Sequence, residues 1–188
     1  MSHRIGQGTV RIGGAIAIPR VLRNLGADPA KVLAEAGIDP NVFDDPDNLI
    51  SNATRIHLLN LCVARTGCRH FGLLVGQQTG LPDFGPVGFL VQNSPDAGTA
   101  LRNFVRYLHL HVRGAAPTLK IYGNLAYLGY EVHQSEFEAI DQLTDAALAV
   151  AFNIVRTLCG PDWIPVQVQF AHREPEDVGP YRQHFRAP

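Results

Sequence analysis

The 188-residue chain has little sulfur, with three cysteines and one methionine, and a single tryptophan. Cys62, Cys68 and Cys159 are odd in number and lack metal-ligand spacing. That argues against a disulfide framework or a zinc knuckle, and the expectation is reduced, mostly buried thiols in a cytoplasmic protein. Charge is sparse as well, at 18% of residues with a net value of −1. A chain that grips nucleic acid by itself carries a basic face, so direct contact with a duplex is not expected, nor is general attraction to a membrane surface. No run approaches the ~20 apolar residues of a membrane span. The first 14 residues carry Arg4 and Arg11 without an apolar core, which is unlike a signal peptide. Repeats and low-complexity tracts are missing. So are a Gly-x-Ser-x-Gly elbow, a Gly-Lys-Ser/Thr phosphate loop and a His-Glu-x-x-His helix.

What is present is enough apolar matter for one domain. Hydrophobic residues make up 46%, and a chain of this length buries ~70% of its unfolded surface. Residues 1–14 are expected to be a flexible N-terminus and 15–188 a single domain. Pro19 points to a helix that starts near it and runs to about residue 24. Asp28-Pro29 reads as N-cap and first helical residue, with Gly37 as the stop. Asp39-Pro40 opens a short turn, and 44–47 is a loop. Ser51 or Asn52 caps a helix to about residue 66, with Ile56, Leu59 and Val63 on one stripe and Gly67 closing it. Residues 71–78 form one or two helical turns, and 80–88 read as a loop ahead of the apolar run 89–91. Ser94 and Pro95 then mark the start of an amphipathic helix to about residue 111.

The clearest strand signal spans 117–132, where Gly123-Asn124 fits a two-residue hairpin loop. Pairing Tyr122 with Leu125 sets Ile121 opposite Ala126 and Leu119 opposite Leu128. One face then carries Leu119, Ile121, Ala126, Leu128, Tyr130 and Val132, and should pack on helices. Ser135 and Glu138 read as a capping box for a long helix to about residue 158, with Glu136 and Asp141 at its positive end. Residues 146–155 of that helix hold no charge, so more than one of its sides must be covered. Alternation at 166–170 predicts a strand, and 177–185 a last helix. The fold class is therefore α+β: a helix-rich single domain with a small antiparallel sheet, made of hairpin 117–132 plus a strand near 166–170.

Candidate chemistry is thin. His109 and His111 can be read as a metal pair, but residues two apart on a helix point to different sides, and no third ligand stands nearby in sequence. Ordinary partly exposed histidines, or polar side chains of a pocket, are the better reading. His57 fits a hydrogen-bonded imidazole on a helix, and His172 fits a side chain that fixes the loop after the last strand. Glu136, Glu138 and Asp141 are better explained by the helix start than by acid–base catalysis. Arg102 and Arg106 fit a solvated helix face better than an anchor for a carboxylate. Tyr130 would bring a phenol to the inner face of the hairpin, and Asn153 is a polar residue within the uncharged part of the long helix. Ligand-site candidates are Tyr107, His109, His111, Tyr130 and Asn153. No catalytic residue, metal or cofactor is assigned.

One ordered set of residues goes further: Phe71-Gly72-Leu73, Gly76, Phe84-Gly85, Gly88, Ser94-Pro95, Ala100-Leu101 and Tyr107. It is followed by Gly160-Pro161-x-Trp163-x-Pro165, Phe170-Ala171-His172-x-x-Pro175 and Tyr181-Arg182-x-x-Phe185. With Pro19, Ala36-Gly37-Ile38 and Asp45-Pro46-Asp47, the set resembles the N-terminal, arabinose-binding-type domain of AraC-family transcriptional regulators from about residue 19 onward. The resemblance implies a bacterial, cytoplasmic, non-enzymatic domain that binds an unidentified small-molecule effector and pairs as a homodimer. It also implies a C-terminal helix-turn-helix domain that is absent here, so the chain is expected to be a piece of a longer regulator. A ligand-free dimerisation scaffold is the competing reading, and a small histidine-dependent enzyme a more distant one.

Overall fold

Helix starts and stops fall where short-range chemistry puts them. The computed structural model describes residues 8–132 and 140–187. Helix α1 is Ile18–Asn24, with Pro19 in its first turn, where a missing N–H costs nothing. Helix α2, Pro29–Glu35, is capped by the Asp28 carboxylate, which accepts from the Ala30 N–H at 3.0 Å. Asp39 does the same for Asn41 at the 3-10 turn Pro40–Phe43. Ser51 caps α3, Asn52–Thr66, by accepting from the Thr54 N–H at 2.9 Å, and left-handed Gly67 ends it.

Several expected boundaries move. Residues 9–14, assigned to a flexible N-terminus, are built into the fold. Thr9–Arg11 is strand β1, paired antiparallel with β2, Leu49–Ser51, and Val10 and Ile12 are fully buried. Residues 80–88 are not a loop. Leu81–Phe84 make a 3-10 turn and α5, Gly85–Gln92, follows directly. Ser94 does not cap the next helix. Asp96 takes that place, accepting from the Thr99 N–H at 2.8 Å, while the Ser94 hydroxyl bonds the Leu90 carbonyl. Helix α6 is therefore Ala97–Tyr107, followed by the 3-10 turn Leu108–Leu110.

The hairpin has the expected register. Strands β3, Ala115–Tyr122, and β4, Leu125–Val132, pair Tyr122 with Leu125, Ile121 with Ala126 and Leu119 with Leu128. Only its base packs on helices, however. Ile121 is 61% exposed, and Tyr122, Leu125 and Tyr127 are exposed beside it, because the tip reaches past the helices that cover Ala115 and Pro117. No strand forms at 166–170. Both small sheets are two-stranded and neither edge comes to this segment, so it runs irregularly. Its alternation survives as packing: Val168 and Phe170 lean on the core, while Gln167 and Gln169 face water. The architecture remains an α+β single domain of helices around small antiparallel sheets.

Helix α7, Asp141–Cys159, is the axis of the molecule. The expected capping box, Ser135 with Glu138, and Glu136 lie outside the described residues. Leu143 joins the core formed with α1–α4; Val150 and Ile154 join the core under α5, α6 and β3. Ala149 and Phe152 form a third cluster with Tyr181 and Phe185 of α8, Gly179–Phe185. A helix feeding three clusters has to be apolar nearly all round, as the uncharged stretch implied. Helix α4, Phe71–Gln77, crosses α7 closely at two glycines. A Cβ at Gly72 would sit 1.9 Å from the Gln142 carbonyl oxygen, and one at Gly76 would sit 2.4 Å from that of Ala146.

Three thiols are free. Cys62 is buried, which pushes its pKa up to about 12, Cys68 is half-buried, and Cys159 is exposed rather than buried as expected.

Candidate functional site

Where the hairpin base leaves α7, the two elements do not close completely. A cavity of about 70 Å³ lies between Pro117, Leu128 and Tyr130 of the hairpin and Ala146, Ala147 and Ala151 of α7. Phe84, Phe104 and Leu108 complete an apolar wall, and Arg55 and His111 supply nitrogen at one end. The small side chains of α7 are what leave room. Alanine at 147 and 151 lies one helical turn apart on the face turned to the hairpin, so no larger group fills the gap.

The polar end is unusual. His111 is 5% exposed, and neither ring nitrogen has a hydrogen-bond partner. Its backbone is fixed: the His111 carbonyl accepts from the Arg11 N–H at 3.0 Å, and Val112 bridges to Val10. The ring lies 4.7 Å from that of Phe84, centroid to centroid. Burial, with the Arg55 and Arg11 charges adding to it and Asp47 opposing, lowers its pKa to about 4, so the imidazole is neutral at pH 7. Arg55 is 6% exposed. Its Nη2 donates to the Asn52 side-chain oxygen at 3.0 Å, and the Asn52 amide donates to the Arg113 carbonyl. The Arg55 Nε–H is left without an acceptor. Buried polar atoms without partners are uncommon, since each costs roughly 1–3 kcal/mol.

Of the five sequence candidates, His111 and Tyr130 border this cavity. His109 does not: it is exposed, with its Nδ1 2.8 Å from the Arg106 carbonyl. Tyr107 packs half-buried against the cluster under α6, with the Arg106 guanidinium over its ring. Asn153 faces the other way. Its amide donates to the carbonyls of Gly76, Gln77 and Thr79 at 2.9–3.1 Å, closing the C-terminal end of α4. Arg55 was missed by sequence reasoning. An arginine three residues into a helix reads as solvated, and only the Asn52 bond reveals that it turns inward.

A second buried polar group was equally invisible. Asp145 is 1% exposed and accepts from the Tyr181 hydroxyl at 2.6 Å, and its other oxygen is 2.8 Å from His172 Nε2. His172 Nδ1 is 2.8 Å from the Arg173 carbonyl, so both ring nitrogens face acceptors. Burial draws the His172 pKa down, but the Arg173 carbonyl and the Asp145 carboxylate outweigh it, and the net shift is upward. A gap of about 290 Å³ lies beside His172 and Tyr181, between residues 168–178 and α8. It is larger than the hairpin cavity, but His172 and Tyr181 are already satisfied by Asp145, and Arg173, Glu174 and Arg182 leave it wet. We read it as a packing feature of the C-terminal segment. Among the described residues, no group of three or more His, Cys, Asp or Glu side chains is placed to hold a metal ion, and no helix is long and apolar enough to cross a membrane.

Residues 26–188 match the family model for the arabinose-binding domain of AraC transcription regulators, N-terminal. Among curated proteins, the chain is similar to the HTH-type transcriptional regulator VirS of Mycobacterium tuberculosis, in strain CDC 1551 / Oshkosh and in strain ATCC 25618 / H37Rv. Each is 29% identical over 167 residues, which cover 87% of this chain and 48% of the relative. The chain thus spans about half the length of the curated relatives it matches.

Proposed function

Because the chain belongs to the family of arabinose-binding, N-terminal domains of AraC transcription regulators, a family of regulator domains rather than of enzymes, we propose that it binds a small-molecule effector and passes that event to a DNA-binding domain. The observation that carries this reading is the cavity between hairpin and α7, mostly apolar and bordered by His111 and Arg55, two buried side chains with unpartnered nitrogens. Effector sites are concave, mostly apolar and equipped with a few placed polar groups. His111 and Tyr130 are the residues of the sequence-based set that would touch the effector.

The mechanism is a shift between two arrangements of the domain. An effector changes the equilibrium only by its differential affinity for them. The cavity is bounded by two separable elements, β3–β4 and α7, so filling it bears directly on how they sit together. The DNA contacts belong to the rest of the regulator, in the bacterial cytoplasm; a net charge of −1 leaves this part without the excess of positive charge that a run of phosphates favours.

A thermal-shift screen tests the reading, using amino acids, sugars, fatty acids and aromatic acids on the chain and on Ala147→Leu. A true effector raises Tm in step with its concentration, by about 2.7 kcal/mol of stabilisation at 100 times Kd. The leucine, which occupies the cavity, should abolish that response. No response across the panel favours the ligand-free scaffold.

Self-association is a separate proposal, supported by the hairpin tip. Tyr122, Leu125 and Tyr127 are exposed on one face of the tip and Ile121 on the other, with the two tyrosine rings 5.7 Å apart, on strands that each keep a free edge among the described residues. Such an edge-plus-patch surface is what a second copy covers.

A further inference from the structure

The chemistry of the polar side chains that border the cavity narrows the class of effector. We propose that the hairpin cavity takes a small monocarboxylate, its anionic head held between Arg55 and His111 and a short apolar tail lying along Ala147, Ala151 and Phe104. This rests on the effector-site reading above and specifies its ligand.

Three observations lead there. First, the polar end offers donors that have no partner of their own. Arg55 can only donate, and its Nε–H is unpartnered. His111 presents two unpartnered ring nitrogens, one of which carries hydrogen even in the neutral ring. Both side chains are more than nine-tenths buried and both border the cavity. Second, the remaining wall is mostly hydrocarbon, with Tyr130 its one phenol, so a sugar or a polyol would lose most of its hydrogen bonds to water without replacement. Third, the space is small. An engineered apolar cavity of about 150 Å³ accepts benzene, whereas this one measures about 70 Å³. A carboxylate and a few carbons fit, and anything longer must extend through the opening.

Arginine is suited to this task because its planar fork matches a carboxylate and keeps its charge when buried. Here the fork is aimed by Asn52, whose side chain ties Arg55 to the backbone at Arg113. A bound anion also changes His111. The charged groups that act on it now are Arg55 on α3, Arg11 on β1 and Asp47 in the loop before β2, and it is neutral. A carboxylate placed against the ring favours the imidazolium, so binding takes up a proton.

The test compares acids with their amides on the unmodified chain: butanoate, hexanoate and benzoate against butanamide, hexanamide and benzamide, by titration calorimetry at pH 6. The expected result is that at least one acid binds tenfold or more tightly than its amide, with proton uptake visible as a buffer-dependent enthalpy. Arg55→Gln should erase the preference while amide binding persists, which also shows that the variant is folded. If amides bind as tightly as acids, the carboxylate assignment is wrong, and the cavity as an effector site still stands. If none of the six binds, the assignment is again overturned, and the wider screen with Ala147→Leu decides the effector reading separately.

Discussion

His111 shows how little a residue name says before its surroundings are known. The His-x-His spacing drew attention to it, but His109 faces water and His111 is sealed against Phe84. Its pKa of about 4 lies below the ordinary value of 6.5, so the unfolded chain binds more protons than the folded one between those limits. Stability is therefore unaffected by this group above pH 6.5 and falls as the pH drops toward 4, by up to roughly 3 kcal/mol. His184, also lowered to about 4 by burial, acts in the same direction. Urea unfolding of the chain and of His111→Gln at pH 7 and pH 4.5 should show a smaller acid loss in the variant; equal losses would mean that the ring is already hydrated. Caps were the legible part at this scale. Asp28, Asp39 and Ser51 act as their sequence neighbours imply, because a cap involves only three or four consecutive residues. Asp145 and Arg55 were not legible, since what buries them comes from distant segments.

Elements are held by contacts that a one-dimensional pattern shows only in outline. The glycines of 71–78 signalled close packing, and the structure supplies the neighbour: α7 passes against Gly72 and Gly76. Gly76→Ala should lower stability by about 1–3 kcal/mol, read as a lower urea midpoint, because its new methyl meets the backbone of Ala146. The segment after α7 misled in the opposite way. Its Val-Gln-Val-Gln-Phe alternation is that of a half-buried strand, but a strand also needs an edge to pair with, and sequence gives no hint of whether one is near. Instead, residues 163–187 are fastened to α7 by aromatic packing and by Asp145. Tyr181→Phe removes a bond to a buried carboxylate and should cost roughly 1.5–3 kcal/mol, with faster hydrogen exchange concentrated in 163–187. His172 adds a pH dependence of known sign. Its raised pKa gives stability that is full below pH 6.5 and is lost as the pH climbs through the folded-state value. Protection factors in this segment, which correct for the intrinsic rise of exchange with pH, should accordingly fall toward alkaline pH.

At the scale of the molecule, the α+β class, the hairpin register and the covering of α7 on more than one side were readable because each rests on strong periodicity, on a turn with few alternatives or on a long uncharged stretch. The β1–β2 pair was not, being three residues a side, and neither was the projection of the hairpin tip beyond the helices. That tip makes a prediction for the assembly: Tyr122→Ser with Tyr127→Ser should shift the chain toward monomer in sedimentation equilibrium if it is the seam between copies, and an unchanged mass would move the seam elsewhere. The central claim concerns the gap beneath the hairpin and is tested most directly by NMR titration of the 15N-labelled chain with a ligand from the screen. The account predicts shift changes centred on His111, Tyr130, Ala147 and Ala151. Changes centred instead on His172 and Tyr181, or confined to the exposed tip, would contradict it.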